Sequence, residues 1–254
     1  MKKYSVLMYN FNNYEIMREP LEVDPDAEYI YVTDDPNLKS DNWNIVYDPD
    51  LDGLSPFDKC YAVRFNVFKY CNTDICVYLD GSIQIKKSLS PIVDKFIEGN
   101  YDLGIPLNIF CPFLVADYQY WVRYRNYPLE HARRALNYLQ FHEKWDFNYR
   151  GYVECSFRII KKNEANKLID QTTYNHLKIL HSNPIDRLDQ PIYAYVLQSL
   201  KLDNFKVMPF GRQALQSDYM QKYQHNSTDL DIAENIDHIT HAWLFNKPHE
   251  MIKI

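Results

Sequence analysis

Apolar residues fill the first 106 positions in short blocks, each closed by acidic or turn-forming residues. Residues 4–9, 28–33, 43–47 and 75–79 each have the length and the β-branched or aromatic content of a buried strand. They end on Asn10, on Asp34-Asp35-Pro36, on Asp48-Pro49 and on Asp80. Residues 57–70 place Tyr61, Phe65 and Phe68 at helical spacing, with Val63 and Val67 beside them. Strands alternating with helices predict a mainly parallel sheet, whose acid-rich ends at Asp34, Asp35 and Asp80 share one rim. Gly81-Ser82 and a second short apolar run follow Asp80. Ser90-Pro91 then opens a helix that reaches Glu98, with Gly99 as its stop.

The pattern changes after a further strand at 101–106. Residues 117–142 are polar, aromatic and basic, with Tyr118, Trp121, Tyr124 and Tyr127 among Arg123, Arg125, His131, Arg133 and Arg134. A strand at 152–160 and helices at 163–180 and 190–200 come next. The tail from Gly211 reads as polar and irregular. The fold class is α/β, a Rossmann-type mixed sheet flanked by helices with a helical, aromatic-rich insertion, in a single domain over 1–254.

Composition narrows the function. A net charge of −6 argues against nonspecific nucleic-acid binding, so an anionic ligand needs local cations or a metal. Six glycines leave no Gly-rich phosphate loop. The five cysteines (Cys60, Cys71, Cys76, Cys111 and Cys155) have no CxxC spacing and are expected to be reduced core residues of a cytoplasmic protein. The N-terminal run reads as a first strand rather than a signal peptide, and no stretch approaches the roughly 20 apolar residues of a membrane span. The 22 tyrosines suit wet interfaces and the apolar faces of sugars.

Four features carry candidate chemistry. Asp80 ends a core strand where open α/β sheets bind ligands, and suits a divalent cation carrying a phosphate; as a plain strand end it would cap the next turn. Arg64, on the preceding helix, offers a planar fork for phosphate, or else a solvated helix face. Asp189-Gln190 enters a helix, where Asp is first a cap but can also reach hydroxyls in a cleft. His241 and Lys247-Pro248 could fold back as a metal ligand and a phosphate-binding lysine.

Val77-Tyr-Leu-Asp-Gly-Ser-Ile83 resembles the Tyr-Leu-Asp-x-Asp strand end of nucleotide-sugar glycosyltransferases with the GT-A fold. Ala62-Val-Arg64-Phe65, Asp189-Gln190 and His241 followed by Lys247-Pro248 resemble, in the same order, motifs of glycosyltransferase family 8. Gly151-Tyr-Val-Glu154 with Arg187-Leu-Asp-Gln190 is similar to a related group once catalogued only as a domain of unknown function. Two positions depart from the pattern: Ser82 replaces the second Asp, and Leu244 replaces a glycine of the C-terminal motif.

The resemblance implies a GT-A-like domain with a nucleotide-binding half at 1–106 and an acceptor-binding half with the tail at 107–254. The donor would be a UDP-sugar with Mn2+ or Mg2+. Its nucleotide would lie near Tyr9, Asn10, Thr33, Asp34 and Asp35, and Asp80, Ser82 and His241 would hold the cation. Arg64 and Lys247 would meet the diphosphate, and Asp189 and Gln190 the sugar. The acceptor would be a glycan or lipid-linked, in surface or capsular polysaccharide synthesis with retention, and a peripheral membrane contact is compatible with the basic segment. Aromatic residues of 117–157, including Trp145 and Tyr149, would stack on the acceptor or build a helical core. An inactive nucleotide-sugar-binding domain is the alternative that Ser82 raises. A nucleotidyltransferase ranks last, because Tyr9-Asn-Phe-Asn-Asn-Tyr14 has no glycine.

Overall fold

The computed structural model describes residues 2–107, 128–138, 153–180 and 189–230. His241, Lys247, Cys111, Arg187, Tyr118, Trp121, Tyr124, Tyr127, Trp145 and Tyr149 lie outside the described residues, so the expectations made of them rest on sequence. In chain order the elements are β1 Tyr4–Asn10, β2 Ala27–Thr33, β3 Asn44–Tyr47, α1 Pro56–Arg64, β4 Ile75–Leu79, β5 Ile83–Ile85, α2 Ser90–Glu98, β6 Leu103–Pro106, α3 Leu129–Asn137, β7 Phe157–Lys161, α4 Glu164–Leu180, α5 Asp189–Ser199, β8 Val207–Phe210 and β9 Met220–Lys222.

Seven strands form one sheet in the order β3-β2-β1-β4-β7-β6-β8. Alternate side chains go to opposite faces. Leu7, Tyr9, Ile30, Val32, Cys76 and Tyr78 pack on one face with Val63 of α1, Ile169 and Leu177 of α4, and Ile192 and Val196 of α5. Val6, Met8, Tyr29, Tyr31, Val77 and Leu79 pack on the other with Ile92, Val93 and Phe96 of α2. Burial on both faces explains why these strands read as unbroken apolar runs.

The sheet is mixed, as expected, and most of its pairings are parallel. β1, β2, β3 and β4 are mutually parallel and β6 is parallel to β8, but β7 runs antiparallel to both β4 and β6. The chain therefore leaves β6 and re-enters at β7 on the rim that carries Asp80, with no crossover between them. The tail also differs from its expectation: β9 pairs with β5 in a second, two-stranded sheet.

The helix expected over 57–70 stops at Arg64, and Val67–Lys69 form a separate 3-10 turn. Ser55 caps the start of α1 and Pro56 occupies its first turn. At the other end the last helical hydrogen bond runs from Phe65 to Tyr61; the Asn66 amide turns to Val63, the Asn66 side chain donates to the Ala62 carbonyl, and the Arg64 carbonyl accepts from Arg158. Arg158 is wholly buried on β7, paired with Asp170 of α4 at 3.0 Å, and lies 5.0–5.2 Å from the rings of Phe65, Tyr78 and Tyr193. Burial pushes Asp170 up while Arg158 pulls it back.

α2 ends as expected beside Gly99, but for a different reason. Gly99 has an ordinary φ of −73°, and Asn100 takes the left-handed turn at φ +49°. A Cβ at Gly99 would lie 2.1 Å from the Tyr101 ring, so close approach is what requires the glycine.

Asp24 fastens α2 to the sheet. Its carboxylate accepts hydrogen bonds from Tyr4 of β1, from Ser88 and Ser90 at the start of α2, and from the Asp26 amide. Burial alone would raise its pKa, but these donors outweigh it and lower the value to about 2.

Two measurements test these anchors. Asp170→Asn should destabilise the protein by about 3–5 kcal/mol in urea unfolding, because it strands a buried guanidinium. Asp24 has a depressed folded pKa, so its contribution is complete above its unfolded pKa and disappears as pH falls through the folded one. Stability should drop by about 2 kcal/mol between roughly pH 5 and pH 2, and Asp24→Asn should flatten that limb.

Candidate functional site

β1 and β4 are parallel neighbours from which the chain winds outward in opposite directions, to β2 and β3 on one side and to β7 on the other. In an open α/β sheet such a switch point leaves a crevice at the carboxyl ends of the strands. Asp80 follows β4 at that rim, and its backbone is fixed by N–H donation to Ser156 at 2.8 Å and by acceptance from Ile83 at 2.9 Å. Tyr78 and Asp80 project to the same face because they are two residues apart on an extended chain.

Arg64 reaches this point from the last turn of α1. Its Nε donates to the Tyr78 hydroxyl at 2.9 Å, one terminal nitrogen donates to Asp80 Oδ1 at 2.6 Å, and the other donates to Asp189 Oδ2. The Tyr78 hydroxyl in turn donates to Asp80 Oδ1 at 2.5 Å. The Tyr9 and Tyr78 rings flank the guanidinium, their centroids 5.9 and 5.6 Å away. Burial would raise the Asp80 pKa, but Arg64 and the Tyr78 hydroxyl outweigh it and hold the group below the usual carboxylate range. Gln190 donates to Glu154 Oε1 at 3.0 Å, and Lys222 of β9 lies 3.8 Å from the same oxygen.

The structure thus brings together Tyr9, Arg64, Asp80, Asp189 and Gln190. The other expected residues fall elsewhere. Thr33, Asp34 and Asp35 form a separate turn at the end of β2: Thr33 accepts from the Asp35 amide, and Asp35 from the Asn37 amide. Asp34 is paired with Lys59 at 2.8 Å and accepts from the Asn12 amide. Burial pushes the Asp34 pKa up, yet those donors hold it low. The Asn10 side chain is engaged with the backbone of Glu15 through both its oxygen and its nitrogen. Ser82 is fully buried, and its hydroxyl has no hydrogen-bond partner among the described residues. Burial pushes the Cys60 thiol up to about 12 and raises the Cys155 thiol as well, so both stay protonated and poor nucleophiles at neutral pH.

No family model matches the chain, and no curated protein matches it. Solved structures that resemble it are glycosyltransferases. Galactosyltransferase LgtC, in complex with donor and acceptor sugar analogues, aligns over 85% of this chain and 79% of its own at 13% identity and a TM-score of 0.45. An active-site mutant of LgtC aligns over 80% and 72% at 14% identity and 0.44. Mouse xyloside xylosyltransferase 1, in its apo form, aligns over 81% and 84% at 8% identity and 0.44. At these identities and scores the likeness carries no function.

Sequence reasoning missed the contribution of 220–227. Lys222 enters through the β5–β9 pair, and His225 Nδ1 lies 2.5 Å from Glu15 Oε1, whose side chain packs over Gly81. A Cβ at Gly81 would stand 3.1 Å from the Tyr9 carbonyl and 3.2 Å from Glu15, so glycine lets that loop close on the rim. Arg18 fastens the segment, donating to the carbonyls of Ile16, Gly81 and Ser227 and stacking 4.1 Å from the Tyr223 ring. Nothing in a three-residue polar strand announces these contacts.

Replacing Arg64 with Gln leaves Asp80 and Asp189 without their shared cation. At neutral pH the variant should be less stable by about 3–5 kcal/mol in denaturant unfolding. The Asp80 pKa is depressed in the native protein, so this stabilisation is present above pH ~4 and lost below it. The deficit should therefore shrink on acidification. A deficit unchanged between neutral and acid pH would show that Arg64 acts through packing rather than charge.

Proposed function

We propose that the protein is a glycosyltransferase that moves a sugar from a nucleotide-sugar donor, a UDP-sugar, to a glycan or lipid-linked acceptor with retention. The observation that carries this reading is the position of the Arg64–Asp80–Asp189 cluster at the switch point between β1 and β4. Carboxylates, a guanidinium and a carboxamide meet there, groups suited to hydroxyls and phosphates. Tyr9 and the Thr33–Asp35 turn would border the nucleoside, and Asp189 and Gln190 the sugar.

A divalent cation fits through Asp80. Its Oδ2 makes no hydrogen bond among the described residues, and a cation held by one carboxylate can take its other ligands from substrate phosphate and water. No three His, Cys, Asp or Glu side chains cluster among the described residues, so Asp80 would share that role with His241. When bound, the cation would stabilise the leaving diphosphate as a Lewis acid. The protein's own part is positional. Arg64 aims Asp189 so that its carboxylate faces the positive charge developing at the anomeric carbon, and Glu154 orients the Gln190 amide toward a sugar hydroxyl. The acceptor would approach at the rim where the chain leaves β6 and returns at β7, with 1–106 serving the nucleotide and 107–254 the acceptor. No helix among the described residues is long and apolar enough to cross a membrane.

The sealed Ser82 favours a second reading, donor binding without turnover. A thermal-shift screen of nucleotide sugars with and without Mn2+, followed by donor hydrolysis and transfer assays, separates the two. UDP-sugars should raise the melting temperature and be turned over, and Asp189→Asn should lower turnover by about 100-fold while donor affinity changes little. Binding without hydrolysis or transfer would establish the second reading, and absence of any nucleotide-sugar binding would sink both.

A further inference from the structure

Lys222 differs from the other cations around the crevice. Arg64, Arg158, Arg18 and Lys59 all donate hydrogen bonds to carboxylates, carbonyls or hydroxyls. The Lys222 ammonium sits 3.8 Å from Glu154 Oε1, beyond hydrogen-bond range, and makes no hydrogen bond among the described residues, although its side chain is only 13% exposed. Polar groups this enclosed are ordinarily hydrogen-bonded, and a cation more so than most.

The backbone fixes where this ammonium stands. Lys222 is opposite Ile83 in the β5–β9 pair, close after Asp80 in the chain, and the next amide, that of Tyr223, donates to the Ser82 carbonyl at 2.9 Å. Arg18 clamps the strand exit through Tyr223 and Ser227. The Lys222 charge reaches Asp80, which it helps to hold ionised. An ammonium with no hydrogen bond among the described residues is therefore carried on paired backbone beside Glu154, whose carboxylate also accepts from Gln190.

We propose that Lys222 is a diphosphate-binding residue of the donor site. On nucleotide binding its ammonium leaves Glu154 and hydrogen-bonds the diphosphate oxygens beside Asp80. This inference rests on the nucleotide-sugar reading above and adds a residue that the sequence motifs do not contain. The chemistry is recognition of a compact polyanion by a flexible point charge.

Calorimetric titration of the full chain with UDP and with uridine tests it, in Mn2+ and again in EDTA. Native protein should bind UDP more tightly than uridine. Lys222→Met, which keeps the aliphatic stem, should weaken UDP by about tenfold or more and leave uridine unchanged, and Lys222→Arg should restore most of the loss. Glu154→Gln releases Lys222 from its ion pair and should leave UDP affinity equal or tighter. A purely structural Lys222–Glu154 pair predicts the opposite, with both variants weakening UDP and uridine alike, and that result would overturn the proposal. UDP affinity unchanged in Lys222→Met overturns it while leaving the donor reading intact. Native protein that binds neither ligand removes the donor reading and this inference together. If Lys222→Met does not fold, the salt dependence of native UDP binding relative to uridine and the Lys222→Arg titration still decide the matter.

Discussion

One guanidinium shared between two carboxylates joins the halves of this fold at its crevice. Arg64 ties the end of β4, through Asp80, to the start of α5, through Asp189, and every other group in the cluster is placed relative to it. The arginine can do this because α1 ends at that residue, whose carbonyl is held by Arg158. Arg158 is itself held by Asp170. A buried ion pair in one layer thus sets the reach of a side chain in the crevice above. Tyr78 links the two levels, its ring within cation–π range of both arginines and its hydroxyl bonded to Arg64 and Asp80.

The parts of this arrangement that could be read from the chain are those that local chemistry dictates. β4 was legible as a run of five apolar residues because a central parallel strand buries both faces, and its closing carboxylate marked the rim. The starts of α1 and α2 were legible from Ser55-Pro56 and Ser90-Pro91. What stayed hidden depends on partners distant in sequence. The chain turns out of α1 at Asn66, whose amide and side chain take the Val63 and Ala62 carbonyls, so the apolar spacing through Phe68 suggested a longer helix. β8 and β9 are too short to show a period, and β9 exists because β5 offers it an edge. The antiparallel course of β7 follows from where the intervening chain re-enters, which no residue of β7 records. Asp34 and Asp35 were rightly placed on the rim, yet Asp34 is paired with Lys59 in a turn of its own.

Charge pairing explains how so many acids coexist here in a chain of net charge −6. Asp80 and Asp189 share Arg64, Glu154 stands against Lys222, and Glu15 against His225. Asp80, Asp189 and Glu154 each have a cationic partner from a different segment, so charges that would repel across an empty crevice cross-link it instead. Such pairs stabilise little when solvated, but enclosed ones are strongly destabilising to break, because the survivor is left uncompensated.

The same pairing accounts for Ser82. Its side chain is fully buried, and Arg64 is already committed to Asp80, Asp189 and Tyr78. An aspartate at position 82 would place a further carboxylate in that enclosure, where Arg64 is already committed to two acids. A neutral serine, with its hydroxyl unpartnered, costs about 1–3 kcal/mol, whereas an unpaired buried carboxylate costs considerably more. The residue that interrupts the acidic motif is therefore consistent with the rest of the cluster.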